Sequence, residues 1–447
     1  AAGGRRPGEH QVVDVAAPGA TFLLNSPYGP DEVWDHLPGE VQEQIVDKQL
    51  KFYVIDAIKV AQQAKLGSRI NTVMQPCFFQ LAGVIPVDEA LALIKGGVEK
   101  TYGKRGRVLV ERNFAAIDAA LSELRQVNYP QAVTSTLTRR QPVPDDAPEF
   151  VRRVTAMLMA GDGDLVPVSA LPVDGVFPTG TSRYEKQQLA QQIPVFDPDV
   201  CIDCGRCAAV CPHAAIRMKV YEPAQIDDAP AGFKTKAFRS KDAPGLAMTI
   251  QVAPDDCTGC SVCVDVCPAK SKSNVSHKAI NMESAALHRD AERPMWDYFL
   301  TIPELDRDLL PHDTVKGAQA LQPLFEFSGA CVGCGETPYL KLVSQLYGDR
   351  MVVANATGCS SIYGGNLPTT PWTSNAAGRG PAWANSLFED NAEFGLGLAL
   401  GVESHHAQAL GLVQRLAGRL DADLVDALCR PVDVTQRAVD DRRSMVE

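Results

Sequence analysis

The chain has 447 residues, a net charge of −11 at neutral pH and a pI of about 5.3. Its 45% hydrophobic and 22% charged content is that of a globular protein, with a length that suggests about three domains. The acidic balance argues against nucleic acid or an anionic membrane as the main partner, and no stretch approaches the roughly 18 consecutive apolar residues of a membrane helix. The start, AAGGRRPGEH, has neither a methionine nor an apolar core like that of a signal peptide. It reads as a cut end, so the chain is expected to be a piece of a longer protein.

In chain order, Thr21 to Leu24 (TFLL) predicts a buried strand and Pro30 to Asp47 a helix. Phe52 to Ile55 predicts a second strand, and Ala57 to Lys65 a helix stopped by Gly67. Val87 to Val98 and Phe114 to Leu124 predict further helices. This alternation points to a parallel, doubly wound, Rossmann-like α/β domain over residues 1–130. Residues 131–190 are rich in proline and turns, as in DGVFPTGTSRYEK, and read as a linker domain. Residues 191–280 carry two cysteine runs. Residues 281–325 are polar and read as a linker with short helices, and 326–447 turn Gly-rich and apolar, with helical patterns at Ser404 to Ala417 and Asp421 to Cys429.

Eight of the 13 cysteines lie between Cys201 and Cys267. That crowding is unlike a disulfide scaffold and implies reduced thiols, hence a cytoplasmic setting. The first run is CIDCGRCAAVCP, with Cys201, Cys204, Cys207 and Cys211; the second is CTGCSVCVDVCP, with Cys257, Cys260, Cys263 and Cys267. Both fit C-x2-C-x2-C-x3-C-P, the two-cluster ferredoxin pattern, in which the fourth cysteine of each run serves the other cluster. The expected sets are Cys201, Cys204, Cys207 and Cys267 for one [4Fe–4S] cluster and Cys257, Cys260, Cys263 and Cys211 for the other. The fourth cysteine of each run is expected to start a helix. Structural zinc would instead want paired CxxC units.

A third group is less complete. FSGACVGCGETPYLK holds Cys331 and Cys334, and the next cysteine is Cys359, in ANATGCSSIYGG. Three thiols leave a four-ligand site one short, and a CxxC alone also suits a redox pair or a zinc half-site. Cys429, on an apolar helical face, reads as a buried core thiol. The basic run KTYGKRGR, Lys100 to Arg107, could meet phosphates but more often such a run is a solvated face. His405 and His406 are adjacent on a helix and point apart.

These stretches together resemble the pyruvate:ferredoxin (flavodoxin) oxidoreductase family. The resemblance rests on RINTVMQPCFFQLAGVIP, LPVDGVFPTGTSRYEK, the doubled cysteine run with its long insertion from Pro212 to Asp256, CVGCGETPYLKLVSQLYGDRM, NATGCSSIYGGNLP and NAAGRGPAWANSLFEDNAEFGLG. It implies a multidomain α/β and α+β architecture. A two-cluster ferredoxin-like domain would span 191–280, and 326–447 would begin a thiamine-diphosphate-binding α/β domain. It also implies that Cys331, Cys334 and Cys359 ligate a third [4Fe–4S] cluster whose fourth ligand comes from further along. Glu336 and Cys359 would contact thiamine diphosphate, held with Mg²⁺ by a GDG-type motif expected beyond residue 447. By its position alone, Glu336 could as well be a first-turn helix glutamate. The N-terminal domain resembles one that helps hold coenzyme A.

The whole enzyme, as the resemblance has it, converts pyruvate and CoA to acetyl-CoA and CO2 and passes electrons to an external ferredoxin or flavodoxin. This chain alone is expected to be inactive in that reaction, with no catalytic residue assigned within it. A homodimer is expected. Another 2-oxoacid as substrate, or a stand-alone ferredoxin-like carrier, are the alternatives.

Overall fold

A computed structural model describes residues 13–67, 69–139, 141–365, 368–431 and 435–446. The AAGGRRPGEH start and Asn366 and Leu367 of NATGCSSIYGGNLP lie outside the described residues. The chain divides into two compact units at Leu171/Pro172.

The first unit holds β1 (Thr21–Asn25), α1 (Gly39–Asp47), β2 (Lys51–Ile55), α2 (Ala57–Gln63), α3 (Asn71–Ala82), α4 (Val87–Tyr102), α5 (Arg107–Glu123), β3 (Arg125–Gln126) and α6 (Ala156–Ala160). Its sheet runs β1-β2-β3, with β1 and β2 parallel and β2 and β3 antiparallel. This is one parallel pair rather than the expected doubly wound sheet. The cause is the chain between β2 and β3, which forms four helices in succession with no strand among them. The helix expected from Pro30 is also interrupted. Pro38 has no N–H to continue a helix; it ends a 3-10 turn (Val33–His36) and begins α1. Ile45, Leu50, Phe52 and Val54 form one buried cluster with Trp34. RINTVMQPCFFQLAGVIP contains α3, and its Cys77 is buried with a thiol that burial pushes up to about 11. Lys100, Lys104, Arg105 and Arg107 are exposed, and Arg107 pairs with Glu99 and Glu111, the solvated-face arrangement.

The second unit begins with β4 (Gln192–Phe196) and α7 (Arg206–Ala209). It continues through β5 (Ile216–Tyr221), β6 (Lys236–Ala237), β7 (Ala247–Val252), α8 (Val262–Asp265) and β8 (Ile280–Ser284). β4 pairs antiparallel with β8, so one ribbon brackets both cysteine runs. The insertion between the runs forms its own antiparallel sheet, β5-β7-β6, with every residue of β5 and β7 buried. The expected linker 281–325 is more ordered than its polarity suggests. It contributes most of β8 and then α9 (Ala285–Thr301), whose Trp296 and Phe299 bury against Ala215, Ala253 and Phe327. Two aromatic residues on one helical face suffice to dock an otherwise charged helix.

Beyond lie α10 (Val315–Ala318), α11 (Thr337–Tyr347), β9 (Val352–Asn355), α12 (Cys359–Gly364), β10 (Ala382–Asn385), α13 (Asn391–Arg415), α14 (Ala422–Cys429) and α15 (Gln436–Val446). β9 and β10 are parallel. The helix expected at Ser404 is the second half of α13, which exposes both His405 and His406. Cys429 is only half-buried, because α14 has no fully buried residue.

Candidate metal centre

Each cysteine run folds as a reversing loop and one turn of helix. In the first run Asp203 (φ 63°) and Gly205 (φ 68°) take left-handed backbone; in the second, Gly259 (φ 71°) and Ser261 (φ 66°) do so. The reversals turn cysteines spaced by two residues toward a common centre. They also bring a backbone N–H onto sulfur: Asp203 N donates to Cys201 Sγ at 3.4 Å, and Gly259 N to Cys257 Sγ at 3.4 Å. Cys207 then lies in α7 and Cys263 in α8, whereas Cys211 and Cys267 come just after those helices. The fourth cysteines therefore end helices instead of starting them. The three-residue spacer before each closes one helical turn, and the proline that follows is disfavoured inside a helix.

α7 and α8 pack together. Cys201, Cys204, Cys207 and Cys267 line one cavity, otherwise walled by Ile202, Ile250, Ala269, Ala279 and Ile280. Cys211, Cys257, Cys260 and Cys263 line a second, with Pro194, Ile216 and Met282. Each cavity thus collects three thiols from one run and one from the other. Burial pushes the thiols of Cys207, Cys257 and Cys263 up, that of Cys257 to about 12. Bare thiolates would not persist there; a thiophilic cationic centre that replaces the protons suits the donor set. Among the described residues, no three His, Cys, Asp or Glu side chains are placed to hold a metal ion. Four thiols around each cavity, in the two-run ferredoxin spacing, are a donor set that a multi-iron cube fits.

The third group is more open. Cys331 and Cys359 are exposed and Cys334 is half-buried. Tyr363 is buried in α12, one turn after Cys359. Burial, then a hydrogen bond with Glu336, then the charges of Glu336, Cys334 and Cys359 push its phenol up. Glu336 thus meets the Tyr363 hydroxyl, and Cys334 and Cys359 lie near enough for their charges to act on it. Glu336 begins α11, but its carboxylate makes no capping hydrogen bond. The loop also reaches the second cavity: the backbone of Gly333 hydrogen-bonds the Cys260 thiol. His213, which lines that cavity, lies with Nδ1 3.0 Å from the Ser328 carbonyl.

Comparison with known proteins agrees with this arrangement. Residues 9–123 match the family described as Pyruvate ferredoxin/flavodoxin oxidoreductase, 136–190 match EKR, a domain of unknown function, and 200–271 match the 4Fe-4S dicluster domain. The pyruvate-flavodoxin oxidoreductase of Nostoc sp. is 51% identical over 444 residues, covering 98% of this chain and 37% of the relative. That of Rhodospirillum rubrum is 50% identical over 418 residues, 93% of this chain and 35% of the relative. The pyruvate:ferredoxin oxidoreductase of Moorella thermoacetica is 49% identical over 395 residues, 88% and 33% respectively.

The chain belongs to the pyruvate:ferredoxin (flavodoxin) oxidoreductase family. It spans little more than a third of the length of these relatives. Both thiol-lined cavities are built from cysteines within the dicluster match, whereas Cys331, Cys334, Glu336 and Cys359 lie outside all three matches. Among the described residues, no helix is long and apolar enough to cross a membrane.

In this family member several charged residues around the cavities were invisible to sequence reasoning. Asp203, fully buried beside Cys201, pairs with Lys236 at 2.5 Å. Asp256, beside Cys257, pairs with Lys186 at 2.8 Å. Glu326 is buried between Arg183 and Arg217; burial alone would raise its carboxyl, but the two guanidiniums outweigh that and hold it low. Lys341, in α11, is 2% exposed and donates to the carbonyls of Ala208, Ala209 (3.0 Å) and Cys211 (3.5 Å). Burial draws its ammonium down to about 8. The pattern of α11 concealed it: the buried face is Thr337, Lys341, Ser344 and Gln345, while Tyr339, Val343 and Tyr347 face outward. A hydrophobic stripe would have predicted the reverse.

Proposed function

We propose that this chain forms the electron-transferring part of a 2-oxoacid oxidoreductase, passing electrons through [4Fe–4S] clusters to an external ferredoxin or flavodoxin. The reading is carried by the exchange of fourth cysteines between the two runs, which leaves two four-thiol cavities back to back across α7 and α8. Cys201, Cys204, Cys207 and Cys267 would hold one cluster, and Cys257, Cys260, Cys263 and Cys211 the other. When bound, the clusters supply one-electron carriers. The chain's own residues hold the sulfurs in place, give them backbone N–H donors and exclude water with apolar walls.

Cys331, Cys334 and Cys359 are read as ligands of a third cluster. The Gly333–Cys260 contact supports a relay from that loop to the second cavity and then the first. Glu336 and Cys359 are read as contacts of thiamine diphosphate. The nearness of Glu336, Cys334 and Cys359 to one tyrosine favours this over a stand-alone carrier, which has no use for such a set of residues. The relatives' names point to pyruvate as the substrate of the whole enzyme; CoA, thiamine diphosphate and Mg²⁺ are what the family resemblance implies for it. Residues 1–130 are read as the CoA-side domain, 131–190 as a connecting segment, and 326–447 as the beginning of the thiamine-binding domain, in a cytoplasmic homodimer.

The test is iron and sulfide content after anaerobic reconstitution, with low-temperature EPR of the dithionite-reduced protein. About eight irons, with signals of two interacting clusters, are expected from the ferredoxin-like part, and about twelve would add the third site. Zinc in place of iron would overturn the reading.

A further inference from the structure

One fully buried cation beside the two cavities faces no carboxylate among the described residues. Four other buried or half-buried cations of this unit face carboxylates: Arg217 faces Glu326, Lys219 faces Glu304, Lys236 faces Asp203 and Lys186 faces Asp256. Among the described residues Lys341 makes no ion pair with a carboxylate, and it is more buried than any of these lysines. Its three acceptors are all carbonyls. An ammonium has three N–H groups and a neutral amine two, so three acceptors match the charged form. A buried ammonium without a counter-ion costs several kcal/mol and is retained only where something compensates it.

Its position identifies the compensation. The three carbonyls belong to Ala208, Ala209 and Cys211, the short segment that leaves Cys207 in the first cavity and arrives at Cys211 in the second. The ammonium therefore rests on the peptide joining the two cavities.

We propose that Lys341 is the shared counter-charge of the two cluster sites, a positioning residue that raises both reduction potentials above what eight thiolates alone would set. The inference rests on the iron–sulfur reading given above. A cluster held by four thiolates is anionic, and taking up one electron adds one more negative charge. A fixed cation at the junction stabilises that reduced form in both cavities. If Lys341 only fastened the end of α7, replacing it would change stability and leave the potentials in place.

The experiment is an EPR-monitored redox titration of the reconstituted chain with dithionite as reductant, comparing the unsubstituted protein with K341M, K341Q and K341R. K341M and K341Q are expected to keep about eight irons and to show both clusters about tenfold less reduced at a fixed poise, a fall of about 59 mV for a one-electron couple. K341R, which keeps the charge, should titrate close to the unsubstituted protein. Unchanged potentials in an iron-replete K341Q would overturn the proposal, as would a shift confined to one cluster. Loss of iron from both neutral variants but not from K341R would assign the charge to cluster retention, and loss from all three would assign Lys341 to packing; either also overturns it. Absence of iron from the unsubstituted chain would instead sink the iron–sulfur reading itself.

Discussion

The two cysteine runs have the same spacing and different surroundings. Each needs two left-handed residues between its first three cysteines. The first run fills them with Asp203 and Gly205, the second with Gly259 and Ser261. Each therefore has one glycine, which adopts that backbone freely, and one residue held there against preference. Asp203 is held by Lys236 and by the backbone N–H of Arg239; Ser261 opens α8 without a capping hydrogen bond from its side chain. The helix that holds each third cysteine meets a lysine. Val264 receives half-buried Lys278 at 2.6 Å, and Ala208 receives fully buried Lys341. Repetition of a motif thus sets sulfur geometry alike in both halves, while charge and solvent access are set separately.

The largest effect should come from breaking the exchange of fourth cysteines. C204S/C267S removes two ligands from one cavity and should cost about four of eight irons, whereas C204S/C211S touches both cavities and should lose nearly all of them. Iron analysis and EPR of the two double variants decide; the reverse order of losses would show that each run keeps its own fourth cysteine.

Next is the ion cluster common to both halves of this unit. Glu326→Gln leaves Arg217 buried beside an uncharged amide and should destabilise by about 3–5 kcal/mol in denaturant unfolding. The same carboxylate gives a pH dependence with a definite sign. Its folded-state pKa lies below the ordinary glutamate value of 4.5, so its stabilisation is complete above about that pH and drains away as pH falls through the depressed value. Unfolding followed from pH 6 downward should show a loss of stability below about pH 4.5 that is absent from Glu326→Gln.

The lysines sharpen the comparison at a smaller scale. Lys278→Met should shift the cluster potentials clearly less than Lys341→Met, because solvent screens a half-exposed charge. Equal shifts in the same redox titration would remove the distinction between the halves. The smallest effect is backbone strain. Ser261→Gly should stabilise by about 1 kcal/mol and Gly205→Ala should destabilise by a similar amount, as read from thermal unfolding of the iron-loaded chain.

Much of this was legible without a structure. Cysteine spacing is a local property: cysteines with two residues between them on a reversing loop turn toward a common centre, and eight thiols in two such runs point to the exchange pattern before any fold is drawn. The edges of β1, β2 and α2 fall within a residue or two of their hydrophobic patterns for the same reason. The doubly wound sheet was misjudged because helix-forming patterns do not announce whether a strand will come between them. The 281–325 segment was misjudged because two aromatics outweigh a charged average.

The electrostatics of the site belong to tertiary structure alone. Lys341 reaches Ala208 across 133 positions of sequence, and Arg217 reaches Glu326 across 109. No periodicity encodes such a pairing. In α11 the local pattern even opposes the outcome, burying Lys341 and exposing Tyr339 and Tyr347. The physical reason is range. Backbone conformation and sulfur spacing are decided by neighbours a few bonds away, whereas the worth of a charge depends on which distant groups folding brings within a few ångströms and on how much water it removes from between them.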